Sequence, residues 1–117
     1  MMRYIEALAV FTLLSISMAS QSQEVYIKNG YLTGNTFRAM DEASKNVYAV
    51  GLIDGMFLAP MFGAPEIKLN NLASCTVGMT GQQIVAIFNK YLSDNPERWN
   101  QSMHTIGYAA MFRACDK

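Results

Sequence analysis

The chain has 117 residues, with nine basic and nine acidic side chains and a hydrophobic fraction of 51%. Because its charges are spread along the chain without runs, the sequence predicts no phosphate-binding face and no nucleic-acid partner. A charged fraction of only 15% instead favours a compact core and a surface that contacts a protein partner.

The first 19 residues have the pattern of a signal peptide. Arg3 supplies a basic start, Ala7 to Met18 form an apolar run, and Ser17-Met18-Ala19 provide the small residues that a signal peptidase recognises. The run is shorter than the roughly 20 residues needed to span a bilayer. We therefore predict a periplasmic protein with no membrane attachment after cleavage, and a single domain over residues 20–117. A buried N-terminal helix is the alternative, but the residues after the run are abruptly polar.

Two helices are predicted in the first half of the chain, after an extended lead-in over residues 20–32. The first covers residues 36–45 and the second residues 47–59. One unbroken helix is the alternative, because no proline or glycine interrupts this stretch before Gly51.

The 47–59 helix is apolar nearly all round, which predicts the buried centre of a small bundle, or an interface such as that of a homodimer. Gly51 and Gly55, four residues apart, are expected to let a neighbouring helix approach closely. Asp54 is expected to be a buried carboxylate with a hydrogen-bonding partner, because burying an unpaired carboxylate is costly. A partner-binding role is the alternative for this residue.

Residues 59–74 lack a clear period and contain two prolines, a glycine and an Asn-Asn pair. A structureless connection of this length is unusual in a compact domain unless it is functional. We predict a presented loop, with a plain connector as the alternative. Its apolar residues are the candidate partner-binding residues: Met61, Phe62, Ile67 and Leu69.

The last two predicted helices cover residues 81–94 and 98–114. Thr80 and Gln83 have the spacing of a capping box, in which each side chain bonds the backbone amide of the other. Asn95-Pro96 ends the first of these helices, because proline has no amide to donate and restricts the residue before it. With the two helices of the first half, this gives an all-α fold, a small bundle of about four helices.

Cys75 and Cys115 are the only cysteines, and an even number in an exported chain favours a disulfide. The bond would close a loop worth roughly 4 kcal/mol in the chain-entropy model. A zinc site or a catalytic thiol is the alternative, but the single histidine, His104, leaves too few ligands for zinc.

No catalytic or cofactor-binding constellation is recognised. The chain lacks a Gly-x-Ser-x-Gly elbow, and His104 is the only candidate base for a serine or cysteine nucleophile. We therefore expect a protein that is not an enzyme and that holds neither a metal nor a cofactor.

Several short motifs together resemble one family, the Rap/Tai-type immunity proteins associated with type VI secretion amidase effectors. In chain order they are Leu32-Thr33-Gly34-Asn35, Tyr48-x-x-Gly51-x-x-Asp54-Gly55, Cys75, Thr80-Gly81-Gln82, Tyr91-Leu92, Asn95-Pro96-Glu97 and Cys115. They extend over nearly all of residues 31–115. A further cysteine pair found in the first half of many members is absent, and Met40 lies near one of the expected positions.

The resemblance implies a small, secreted, all-helical and disulfide-bonded protein. It also implies a periplasmic immunity protein that binds and inhibits a cell-wall-degrading effector of the amidase type. The alternative is a small helical periplasmic stress or chaperone-like protein without a cognate effector. The unclustered acidic residues argue against an acid-triggered chaperone.

Overall fold

The computed structural model describes residues 30–116, so the predicted signal peptide and most of the predicted lead-in lie outside the described residues. Within this range the chain is all-α, as predicted, and an isolated antiparallel bridge between Thr33 and Ser102 is its only β pairing. Two short 3₁₀ turns, Ala59–Phe62 and Pro96–Arg98, connect the longer elements. The five α-helices are α1 (Gly34–Ala39), α2 (Glu42–Met56), α3 (Glu66–Thr76), α4 (Gly81–Asp94) and α5 (Met103–Cys115).

Helix α4 provides the largest share of the core and has the boundaries predicted for it. The Gln83 amide donates to Thr80 Oγ1 at 3.2 Å, and the Thr80 amide donates to Gln83 Oε1 at 2.7 Å, so the predicted capping box is confirmed. One face of the helix is buried between α2 and α5. Its buried residues are Ile84, Val85, Phe88, Tyr91 and Leu92.

Helix α5 begins later than the predicted residue 98, because the chain before it pairs with α1. The carbonyls of Trp99 and Gln101 accept hydrogen bonds from the amides of Asn35 and Gly34, at 2.8 and 3.0 Å. These carbonyls accept hydrogen bonds from α1, so they do not accept the bonds from later amides that would extend a helix through this segment. The helix starts only at Met103.

The first half forms two helices, and the break between them lies at Met40, whose backbone is extended. Asp41 then caps α2, accepting hydrogen bonds from the Ser44 amide at 2.8 Å and the Ser44 hydroxyl at 2.9 Å. These two bonds lower the pKa of the Asp41 carboxyl. Because of this cap, α2 begins at Glu42 rather than at the predicted residue 47.

The prediction that α2 lies at the buried centre of the bundle is wrong. The helix packs through one face that includes Ala49 and Ile53, whereas Gly51, Asp54 and Gly55 are exposed. A β-carbon built on either glycine meets nothing within 4 Å among the described residues. Asp54 needs no protein partner, because a carboxylate on this face stays hydrated.

The close approach between helices occurs instead at Gly107 of α5. A β-carbon on Gly107 would lie 2.5 Å from Leu52 Cδ2 and 3.1 Å from Phe88 Cζ. The missing side chain thus lets α2 and α4 both pack against α5 at this point.

The 59–74 segment is not a loop, because most of it is helical. Pro65 precedes α3 with an extended backbone, and Glu66 places a carboxylate in the first turn, where it favours the positive end of the helix dipole. Only Leu72 of this helix is buried. The hydrophobic period of α3 is therefore too weak to predict a helix from the sequence.

The predicted disulfide between Cys75 and Cys115 is confirmed. The two sulfur atoms are bonded at 2.04 Å, and the α-carbons lie 5.6 Å apart. The bond joins the last turn of α3 to the end of α5.

Candidate protein-binding surface

An apolar surface, here called the 59–69 surface, is formed by the 59–62 turn and the first turns of α3. Three of its side chains are largely exposed: Met61 by 79%, Phe62 by 85% and Ile67 by 67%. The fourth candidate residue, Leu69, is half-buried. Solvent exposure of large apolar side chains at neighbouring positions is typical of surfaces that bind other proteins.

Backbone hydrogen bonds fix the shape of this surface. The Met61 amide donates to the Leu58 carbonyl at 3.0 Å, and the Ala64 amide donates to the Ala59 carbonyl at 3.1 Å. Gly63 closes the turn at a φ of +93°, a left-handed conformation that a residue with a β-carbon rarely adopts. The exposed side chains are therefore carried by an ordered backbone.

A groove with a volume of about 290 Å³ lies beside this surface, between the start of α3 and the face of α5. The rings of Tyr108 and Phe112 stand on its α5 side, with their centroids 4.5 Å apart. Lys68 adds a positive charge at the groove, and its Nζ lies 5.2 Å from the Phe112 ring centroid. The other lining residues are Met56, Ala59, Ala64, Pro65, Leu69 and Leu72.

The sequence did not indicate Phe112 as a site residue. Its only signal is its position one turn after Tyr108, which places both rings on the same stripe of α5. That this stripe faces α3 depends on the packing of the two helices and cannot be read from α5 alone.

An alternative binding face lies at the start of α5 and just before it, around Gln101, His104 and Tyr108. The three side chains are exposed, but only His104 and Tyr108 line a common depression, and Gln101 does not belong to it. The Gln101 carbonyl is used by α1, whereas Tyr108 lines the groove next to the 59–69 surface. His104 lines a separate open depression near Leu52 and Met56, and Tyr108 borders this depression as well as the groove.

Gly34 and Asn35, two residues of the motifs that resemble the Rap/Tai family, attach α1 to α5 and to the segment before it. A β-carbon on Gly34 would lie 2.8 Å from Ile106 Cδ1. The Asn35 side-chain amide donates to Asn100 Oδ1 at 2.9 Å, next to the backbone bonds described above.

Other motif residues divide between the core and the solvent. Tyr91 is buried, and Tyr48 packs against Phe37 with ring centroids 5.8 Å apart; burial raises the pKa of the Tyr48 phenol. Thr80 caps α4 and Pro96 begins the 96–98 turn. Gln82 is exposed, like Gly51, Asp54 and Gly55.

Between residues 30 and 116, no group of three or more His, Cys, Asp or Glu side chains is arranged to hold a metal ion. No helix in this part of the chain is long and apolar enough to cross a membrane. The disulfide is compatible with an extracytoplasmic protein, because such bonds persist in oxidising compartments.

Comparisons of the chain with protein-family models, curated proteins and solved structures find no match. The resemblance to Rap/Tai-type immunity proteins therefore stays a prediction from the sequence motifs.

Proposed function

We propose that the protein is a periplasmic immunity protein that binds and inhibits a cell-wall-degrading effector of the amidase type through the 59–69 surface. The observation that carries this proposal is the exposure of Met61, Phe62 and Ile67 on an ordered segment. The sequence motifs that resemble the Rap/Tai family support the choice of effector.

The 59–69 surface suits a partner with a concave site, such as a substrate cleft. Its backbone is ordered by the 59–62 turn, and α3 is bonded to α5 through Cys75, so little conformational entropy is lost on docking. The adjacent groove between Tyr108 and Leu69 accepts an apolar side chain of the partner. Inhibition then results from blocking the cleft, and the protein itself performs no catalysis.

The test is a triple variant, Met61→Ser, Phe62→Ser and Ile67→Ser, titrated calorimetrically against an amidase-type effector that the unmodified protein binds. Removing a central aromatic contact from an interface commonly costs about 2 kcal/mol or more, so we expect affinity to fall by well over tenfold. Inhibition of peptidoglycan hydrolysis should fall in parallel. Helical circular dichroism should not change, because none of the three side chains belongs to the buried core.

Val47→Ser is the matched control, since this valine is 73% exposed but lies on α2, outside the 59–69 surface. It should leave affinity unchanged. Full affinity in the triple variant, combined with loss of affinity in His104→Ala, would move the binding site to α5. Protection of several unrelated denatured proteins from aggregation, without binding to the amidase, would instead identify a chaperone-like protein.

A further inference from the structure

A second, polar cleft is formed where α1, α2 and α4 meet the chain around the 96–98 turn. It has a volume of about 540 Å³, and none of its residues belongs to the 59–69 surface. We call it the Arg38–Lys45 cleft. Its lining residues are Arg38, Lys45, Asn89, Leu92, Ser93, Pro96 and Trp99.

Arg38 is held in a defined orientation by Trp99. The guanidinium carbon lies 3.3 Å from the centroid of the indole ring, and the indole Nε1 donates to the Leu92 carbonyl at 2.7 Å. In the described part of the chain, no carboxylate forms an ion pair with Arg38. The stacked guanidinium therefore keeps its edge donors available for a planar anion.

Lys45 brings a second positive charge into the cleft, although the residue is only 9% exposed. Its Nζ lies 3.4 Å from Glu42 Oε1 and 5.8 Å from the ring centroid of Phe37. The side chain of Glu42 is itself 79% exposed, so it compensates the buried ammonium only weakly. A buried charge of this kind is stabilised by a further anion.

Neutral hydrogen-bonding groups complete the cleft. Asn89 and Ser93 lie one turn apart on α4, and neither side chain forms a hydrogen bond to another residue between 30 and 116. The apolar wall of the cleft is formed by Leu92, Pro96 and the ring of Trp99. The cleft has a net positive charge, because Arg38 and Lys45 are balanced only by the exposed carboxylate of Glu42.

We propose that the Arg38–Lys45 cleft is a binding site for a carboxylate-bearing ligand. The planar fork of Arg38 matches the two oxygens of a carboxylate, and the apolar wall accepts the carbon skeleton attached to it. The carboxylate belongs either to a small organic acid or to the C-terminus of a peptide. This inference does not depend on the proposed immunity function, because it concerns different residues.

Trp99 makes the proposal directly measurable, since it is the only tryptophan in the chain. The exported protein is titrated with sodium acetate and, separately, with a short peptide that has either a free or an amidated C-terminus. Sodium chloride keeps the ionic strength constant. We expect a saturable change in tryptophan fluorescence with acetate. A response to the free peptide but not to its amide assigns the site to peptide termini, and a response to acetate alone assigns it to small organic acids.

Variants test the individual groups, with chemical shifts in two-dimensional NMR as a second readout because Arg38 itself contacts the fluorophore. Arg38→Gln should weaken binding about tenfold or more, since it removes a charge-assisted bidentate contact. Arg38→Lys should restore only part of the affinity, because lysine lacks the planar fork. Glu42→Gln should tighten binding by removing the competing carboxylate, and this exposed position does not endanger folding. Arg113→Gln, at an exposed arginine of α5 outside the cleft, is the control and should change nothing.

Three results would overturn the proposal. The first is a fluorescence change that sodium chloride reproduces, since it would indicate only ionic strength. The second is tighter binding of inorganic phosphate than of acetate, which would contradict the assignment to carboxylates. The third is equal weakening by Arg113→Gln and Arg38→Gln, which would remove the site from this cleft.

Discussion

The disulfide between Cys75 and Cys115 carries the strongest prediction about stability. We consider the double variant Cys75→Ala and Cys115→Ala, in which both positions keep an apolar side chain. Helix α3 contributes only Leu72 to the buried core, so the bond is the other main attachment of this helix to α5. Its loss should therefore act on α3 before it acts on the rest of the bundle.

The size of the effect follows from the loop that the bond closes. The cysteines are 40 residues apart, and the chain-entropy model assigns about 4 kcal/mol to a loop of this length. Domains of this size have total stabilities of roughly 5 to 15 kcal/mol, so the bond accounts for a large part of the total. Each kcal/mol shifts the melting temperature by about 4–8 °C in a domain below 100 residues, which gives a predicted fall of roughly 15–30 °C.

Urea denaturation followed by circular dichroism measures the change in unfolding free energy, and hydrogen exchange locates it. We expect a lower urea midpoint in the variant, together with an early loss of amide protection in α3 while α4 stays protected. An unchanged midpoint would refute the argument that loop closure restrains the unfolded chain. Equal loss of protection in α3 and α4 would refute the argument that α3 depends on the bond more than the core does.

The remaining predictions concern helix packing and helix capping. Gly107→Ala should destabilise the domain by about 1–3 kcal/mol, because the new β-carbon meets side chains from α2 and α4. Gly51→Ala should stabilise the domain by up to about 1 kcal/mol, because alanine has the higher helix propensity and its β-carbon meets nothing. Thermal unfolding of the two variants checks both signs, and destabilisation by Gly51→Ala would show that α2 is packed on that face. The Asp41 carboxyl should titrate below its ordinary range in an NMR experiment, because Ser44 bonds its charged form. Because folding lowers the pKa of Asp41, this carboxylate stabilises the domain at pH values above its unfolded-state pKa. The stabilisation is lost as the pH falls through the folded-state pKa. Ser44→Ala should raise the pKa of Asp41, because it removes one of the two hydrogen bonds.

The parts of the fold that the sequence predicted are those whose signals are local. The boundaries of α4 follow from the Thr80 cap and from a strong helical period, and both are properties of consecutive residues. The disulfide follows from the even number of cysteines together with the predicted signal peptide. The all-α class follows from these features together.

The errors concern neighbours that a single helix does not specify. The apolar composition of α2 predicts burial, but a β-carbon built on Gly51 or Gly55 meets no described residue within 4 Å. The sequence predicts a loop in place of α3 because the segment has no clear hydrophobic period and contains the pair Asn70-Asn71; the helix buries only Leu72. In both cases tertiary packing, rather than local propensity, determines what the residues do.

The same limit applies to the two candidate sites. The sequence predicts four binding residues because they are apolar residues in a segment without a clear period. Met61, Phe62 and Ile67 are exposed, whereas Leu69 is half-buried. The sequence does not predict the Arg38–Lys45 cleft, because Trp99 is distant in the sequence from Arg38 and Lys45. Only the packing of α1 and α2 against the end of α4 brings them together.

The disulfide also bears on why the 59–69 surface remains exposed. A helix is normally attached by burying several apolar side chains, each worth about 1.5–3 kcal/mol, yet α3 buries only Leu72. A bond worth about 4 kcal/mol replaces roughly two such side chains. Met61, Phe62 and Ile67 are therefore not needed to hold α3 in place, and their apolar area stays available to a partner. Residues of this kind can change without unfolding the domain. Their affinity for a partner can therefore vary independently of stability, which suits the proposed immunity function.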